Sequence, residues 1–255
     1  MAALASTLPS LAERVRPVTW AGEQLLPVED CLAPLLPRAG LARGTVVGVA
    51  GSLAVTSLAV ALVAPAVRAG SWVAAVGLDH LGLAAVEGLG LPLERLVLVA
   101  APEPSQWAAM VAALVEGFDV VLAGPPVRVR PVEARRLAAR IRERRSLLVQ
   151  VGWPSHRWPE EPELTLAVSR AHWEGIGEGW GHCRARRVEV GSRGRRSGVR
   201  PRSRWLWLPG PDGVVAADLE ADLADLDVVG ADPGADLPGR PHPPARHLDL
   251  VGGRR

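Results

Sequence analysis

Residues 44–60 read GTVVGVAGSLAVTSLAV, and no other stretch limits the fold of this 255-residue chain so tightly. Thr45 to Ala50 suits a strand buried on both faces, Gly51-Ser52 suits a turn, and an apolar helix opens at Thr56-Ser57. A buried strand that passes through a glycine turn into a helix is how α/β folds place a phosphate at a helix N-terminus. Such a loop ordinarily carries a lysine just before its hydroxyl residues, to neutralise the β- and γ-phosphates. Here that position is Val55, and the chain contains no lysine at all. Asn and Tyr are also absent, Ile is down to two and Phe to one, all residues with AT-rich codons, so a GC-rich coding sequence accounts for much of the loss. It does not account for all of it, because chemistry resting on one lysine would retain that one, and arginine does not stand at position 55 either. The residues predict a nucleotide-binding architecture whose catalytic equipment is gone.

The pattern then repeats at the pace of βαβ modules. Trp72 to Val76, Leu96 to Ala100, Asp119 to Ala123 and Ser146 to Val151 read as short continuous apolar strands. Between them lie helical stretches at His80 to Leu89, Pro104 to Val115 and Val132 to Arg144. Strands of this kind separated by helices require a parallel sheet covered on both faces, so the fold class is α/β and doubly wound. Beyond Gly152 the periodicity changes to alternation, at Leu164 to Ser169, Arg184 to Val190 and Arg204 to Leu208, which predicts an antiparallel extension with one solvated face. Three regions follow from this: an irregular N-terminal arm (1–40), a core (41–210), and an acidic Pro/Gly-rich tail (211–255) expected to be mostly disordered apart from a short helix at Val215 to Leu226.

The net charge of +2 conceals an asymmetry, with about −5 in the tail and about +7 in residues 1–210. Two distant cysteines, Cys31 and Cys183, offer neither a disulfide framework nor zinc-ligand spacing, and no metal or other cofactor is expected. Thr45 to Val67 is uncharged and long enough to span a bilayer, but Gly48, Gly51, Ser52, Thr56, Ser57 and Pro65 interrupt it, which favours a buried strand, turn and helix. With no secretion signal evident, the chain reads as cytoplasmic and not membrane-bound.

From Gly44 to about Gly210 the chain resembles the RecA ATPase core, and more closely the actinobacterial ImuA-type (ImuA-prime) proteins, RecA-like accessory factors of an inducible mutagenesis cassette. The resemblance places GVAGSLAVTSL at the phosphate loop, with Gly51, Thr56 and Ser57 retained and Val55 in place of the lysine. It makes Asp79, in VGLDH, the counterpart of the acidic residue that activates water. It puts Gly124, in FDVVLAG, where the metal-supporting aspartate ends a strand, and Gly152 and Trp153 where a polar residue senses the γ-phosphate. Phosphoryl transfer depends on positioned charge around phosphate and metal, so without the lysine and the strand-end aspartate no hydrolysis is expected.

Three further constellations point toward nucleic acid and protein partners. Arg184, Arg186, Arg187, Arg193, Arg195, Arg196, Arg200, Arg202 and Arg204 face one acid, Glu189, and eight more arginines lie between Arg128 and Arg145. Arginine forks match phosphate geometry, and a glycine-spaced basic loop suits single strands, so the first cluster is the predicted DNA contact; a solvated face is the alternative. Six of nine tryptophans fall between Trp153 and Trp207, with Trp205 and Trp207 on one strand face. In the tail, Leu219, Leu223 and Leu226 share a helical face, and Leu248 and Leu250 in HLDLV resemble part of the sliding-clamp pentapeptide; both are candidate partner segments.

The resemblance implies a non-catalytic adaptor of the SOS-type DNA damage response. Its implied partners are an inactive Y-family polymerase-like protein, an error-prone translesion polymerase, and DNA, single strands above all. A divergent RecA-group ATPase and a damage-induced inhibitor of cell division remain the alternatives.

Overall fold

A computed structural model describes residues 25–222 except 102, 125–128, 154–160, 177–180 and 195–201. Its first compact unit runs to Leu219; of the second, Glu220–Arg255, only residues 220–222 are described. The sheet is built from β3 (Val46–Ala50), β4 (Val73–Val76), β5 (Leu96–Val99), β6 (Val120–Ala123), β7 (Leu147–Trp153), β8 (Leu164–Ile176), β9 (Gly181–Gly194), β10 (Arg202–Trp207) and β11 (Ala216–Ala217). Their order across the sheet is β11-β10-β9-β8-β3-β7-β6-β4-β5. β8 through β5 run parallel and β9, β10 and β11 antiparallel, the mainly parallel sheet with an antiparallel extension that the apolar runs and the later alternation predict.

β3, β4 and β6 are buried at every position, as strands covered on both faces must be. One face carries α1 (Val55–Arg68), α2 (Leu83–Gly88) and the N-terminal segment; the other carries α3 (Trp107–Gly117) and α4 (Pro131–Arg144). Helix α1 is apolar almost all round because it is enclosed. It packs on β3 and β7, and the segment that includes β1 (Leu25–Leu26) and β2 (Leu41–Ala42) covers it, burying Leu26, Leu32, Leu35, Leu36 and Leu41. At about 1.5–3 kcal/mol for each enclosed leucine, this described segment is part of the core. Arg202 fixes it to the sheet by donating from Nη1 to the carbonyls of Pro34 (2.8 Å) and Leu36 (3.0 Å).

Several expectations change. The predicted antiparallel strand at Leu164 to Ser169 is parallel to β3 and continues to Ile176. The predicted loop after Val190 is strand through Gly194, because Leu164 to Ala167 pairs with it residue for residue. Val215 to Leu226 does not begin as a helix. The turn at Gly210 to Val214 returns the chain so that Ala216 and Ala217 pair with Trp207 and Leu206, and helical structure is confined to 219–222 within the described residues. Thr45 to Val67 divides into β3 and α1, and no helix among the described residues is long and apolar enough to cross a membrane.

Candidate functional site

The carboxyl ends of β3, β7, β6 and β4 lie side by side, the edge where open α/β sheets hold ligands. All four strands reach a glycine there: Gly51, Gly152, Gly124 and Gly77. Two of these are wedged. A Cβ on Gly51, whose φ is +129°, would lie 2.8 Å from the carbonyl oxygen of Val168 on β8. A Cβ on Gly124 would lie 2.1 Å from the Gly77 carbonyl oxygen and 2.8 Å from its carbon. Gly124 is held there by donating its N–H to Val76 at 2.8 Å. The position where the resemblance expects a metal-supporting aspartate therefore has no room for any side chain.

The phosphate-loop position is filled in a related way. Val55, the first residue of α1, belongs to the main apolar cluster and is 9% exposed. The residue capping the helix is Ala54 in the left-handed region (φ 56°), with no side-chain cap, so the helix opens at Val55, one residue before the expected start at Thr56-Ser57. Those two are half-buried in the first turn, while Leu53 before them is exposed. An alanine held left-handed costs about 1 kcal/mol, which the burial of Val55 and Leu58 offsets. Asp79 follows β4 in an exposed turn closed by the Leu81 N–H to Leu78 carbonyl bond. Among the described residues, no cluster of His, Cys, Asp and Glu could hold a metal ion.

The arginines of β9 divide into three kinds. Arg186 is buried. Its guanidinium lies 4.7 Å over the Trp173 ring and its Nε donates to the Leu208 carbonyl at 2.8 Å, and burial pulls its pKa below the ordinary arginine value. Arg187 stacks on Trp207 at 4.6 Å and stands 3.0 Å from Glu174 and 3.1 Å from the buried Asp218. Arg184 and Arg193 are exposed, near opposite ends of the strand. Arg195, Arg196 and Arg200 lie outside the described residues, as do Leu223, Leu226, Leu248 and Leu250; Leu219 is described and 64% exposed. The cluster read from sequence is thus not one continuous basic face within its described part.

The sheet face formed by β8, β9 and β10 on the α3 and α4 side carries a layer that the sequence reading missed. Arg170 lies 4.7 Å over Trp205 and pairs with Glu189 (2.7 Å), beside the Arg187, Trp207, Glu174 and Asp218 group. Trp205 and Trp207 do share a face, but they are half-buried beneath arginines instead of buried together. The available signal was alternation: RRVEV and RWLWL, set in register, place Glu189 opposite Trp205 and Arg187 opposite Trp207.

The family described as MT3502 N-terminal domain matches residues 34–159, just under half of the chain. No curated protein matches it. Among solved structures 204 chains match; one is the crystal structure of the RadB recombinase, 16% identical, covering 69% of this chain and 92% of that one, with a TM-score of 0.48.

Proposed function

We propose that this chain is a non-catalytic, RecA-like adaptor that supports error-prone translesion synthesis in a DNA damage response, by joining a polymerase-like partner to DNA. The observation that carries the reading is Gly124 wedged against Gly77, together with Val55 in the apolar core. A core that had merely lost its charged residues would leave space for them; this one has packed into the space. Electrostatic stabilisation of the transferred phosphoryl group and its metal has no residue to supply it at either position. What remains is a rigid platform with exposed arginines, suited to assembly.

Turnover and capture test the two halves. Purified protein is expected to release no phosphate from ATP above background, with or without single-stranded DNA. Turnover stimulated by DNA and abolished by Asp79→Ala would establish the divergent ATPase instead. Tagged protein recovered from damaged cells is expected to carry a polymerase-like protein as its dominant partner; a division protein in that place would favour the inhibitor reading.

A further inference from the structure

We infer that helix α4 is a sequence-independent contact for the nucleic-acid backbone. With 100° per residue, Ala134, Leu137 and Ile141 form its buried stripe, and the opposite ridge is Val132, Ala139 and, toward the C-terminal end, the exposed Glu143. Arg135 and Arg142 flank that ridge on one side, Arg136 and Arg140 on the other, and Arg144 and Arg145 close the C-terminal end; all six are exposed. Arg140 reaches Glu116 only at 3.5 Å, and the short Arg130 to Glu133 pair lies at the helix start, away from these rows. On β9, by contrast, Arg186 and Arg187 are held by tryptophans, a carbonyl and carboxylates.

Attraction to the helix macrodipole explains Arg142, Arg144 and Arg145 at the C-terminal end, but not Arg135 and Arg136 in the second turn. The ridge has no large anchor, its apolar residues being Val132 and Ala139, whereas protein hot spots are built on buried aromatic and large side chains. Two rows of arginine flank a ridge that carries one acid, Glu143, so the face stays strongly positive and complements a line of phosphates, which each fork can bind through two parallel bonds. A polynucleotide backbone, with one negative group per repeat and no apolar side chain to bury, matches this surface better than an acidic helix would.

The inference deepens the adaptor reading, and the two fail separately, since partner capture reports on the reading and oligonucleotide binding on the helix. The probes are a labelled 30-nucleotide oligo(dT) and a mixed-sequence 30-base-pair duplex, titrated with the full chain between 50 and 200 mM salt. If four phosphates are engaged, affinity for the duplex falls about 150-fold over that range, and for the single strand about 50-fold. Arg135→Ala, Arg136→Ala and Arg142→Ala combined should leave a fall of only about 3- to 4-fold on the duplex, with unfolding midpoint unchanged. The matching triple Arg→Lys variant should keep most of the salt dependence. Unchanged binding in the alanine variant, a lysine variant as weak as the alanine one, no binding of either probe at 50 mM salt, or equally tight arginine-dependent binding of poly-glutamate would each overturn the inference.

Discussion

Replacing Gly124 by alanine adds one methyl group and tests whether the strand-end site is closed by packing. The new Cβ would sit 2.1 Å from the Gly77 carbonyl oxygen, where ordinary contact begins near 3.4 Å. The ends of β6 and β4 must therefore part by roughly 1 Å, as a shift of backbone and not of a side chain that can rotate away. They part where Gly124 donates to Val76 at 2.8 Å and Ala123 pairs with Val76, so about 1 kcal/mol of hydrogen bonding is put at risk. Overpacking adds about 1–3 kcal/mol, for a total of about 2–4 kcal/mol. Gly77 cannot yield by substitution, because its φ of +64° favours glycine. In urea, with a slope of about 2 kcal/mol/M, the unfolding midpoint should fall by about 1–2 M. Gly124→Asp should cost more, since it adds a carboxylate at a buried position, and Val55→Lys with Gly124→Asp should restore no ATP turnover. A Gly124→Ala protein whose midpoint stays within about 0.3 M of the parent would refute the steric argument.

Glu189 has its pKa lowered chiefly by the hydrogen bond from Arg170, so its stabilisation is present above the ordinary carboxylate value of 4.5 and is lost as pH falls through the lowered one. Arg170→Ala should therefore reduce stability at neutral pH, by at most about 1 kcal/mol for so solvated a pair, and shrink the difference between stabilities measured near pH 7 and pH 3. Burial raises the Cys31 thiol to about 11, whereas Cys183 is exposed; maleimide at neutral pH should label one cysteine in the folded protein and two in urea, and rapid double labelling of native protein would contradict this. Arg186→Ala should lower the unfolding free energy by about 1–3 kcal/mol for the lost carbonyl bond and ring contact, while Arg193→Ala on the same strand should leave it within about 0.5 kcal/mol. Equal effects of the two would mean that Arg186 is not a structural residue.

The apolar runs that became β3, β4 and β6 were legible because a strand covered on both faces leaves little place for a polar residue, and composition alone marks it; β7 was legible despite its buried Gln150. The helices were legible from the spacing of Ala134, Leu137 and Ile141 and its equivalents, though α2 proved shorter than His80 to Leu89. Strand direction at Leu164 was not legible, because alternation reports one solvated face and is silent about which neighbour pairs. Nor was the fate of Val215 to Ala217, where a local helical pattern yielded to a turn that offered the edge of β10.

The candidate site shows the same division. Sequence by itself determined that Val55 and Gly124 lack charge, that glycine follows the central strands, and that arginine is concentrated in two segments, since these are properties of residue type and order. Tertiary structure alone decided that Gly124 is closed by the Gly77 backbone, that Arg186 and Arg187 are held by Trp173, Trp207, Glu174 and Asp218, and that the arginines of α4 stand outward in two rows. The physical reason is that a charge acts through its neighbours within a few ångströms, and those neighbours are set by strand pairing and packing, which residue type and order do not specify.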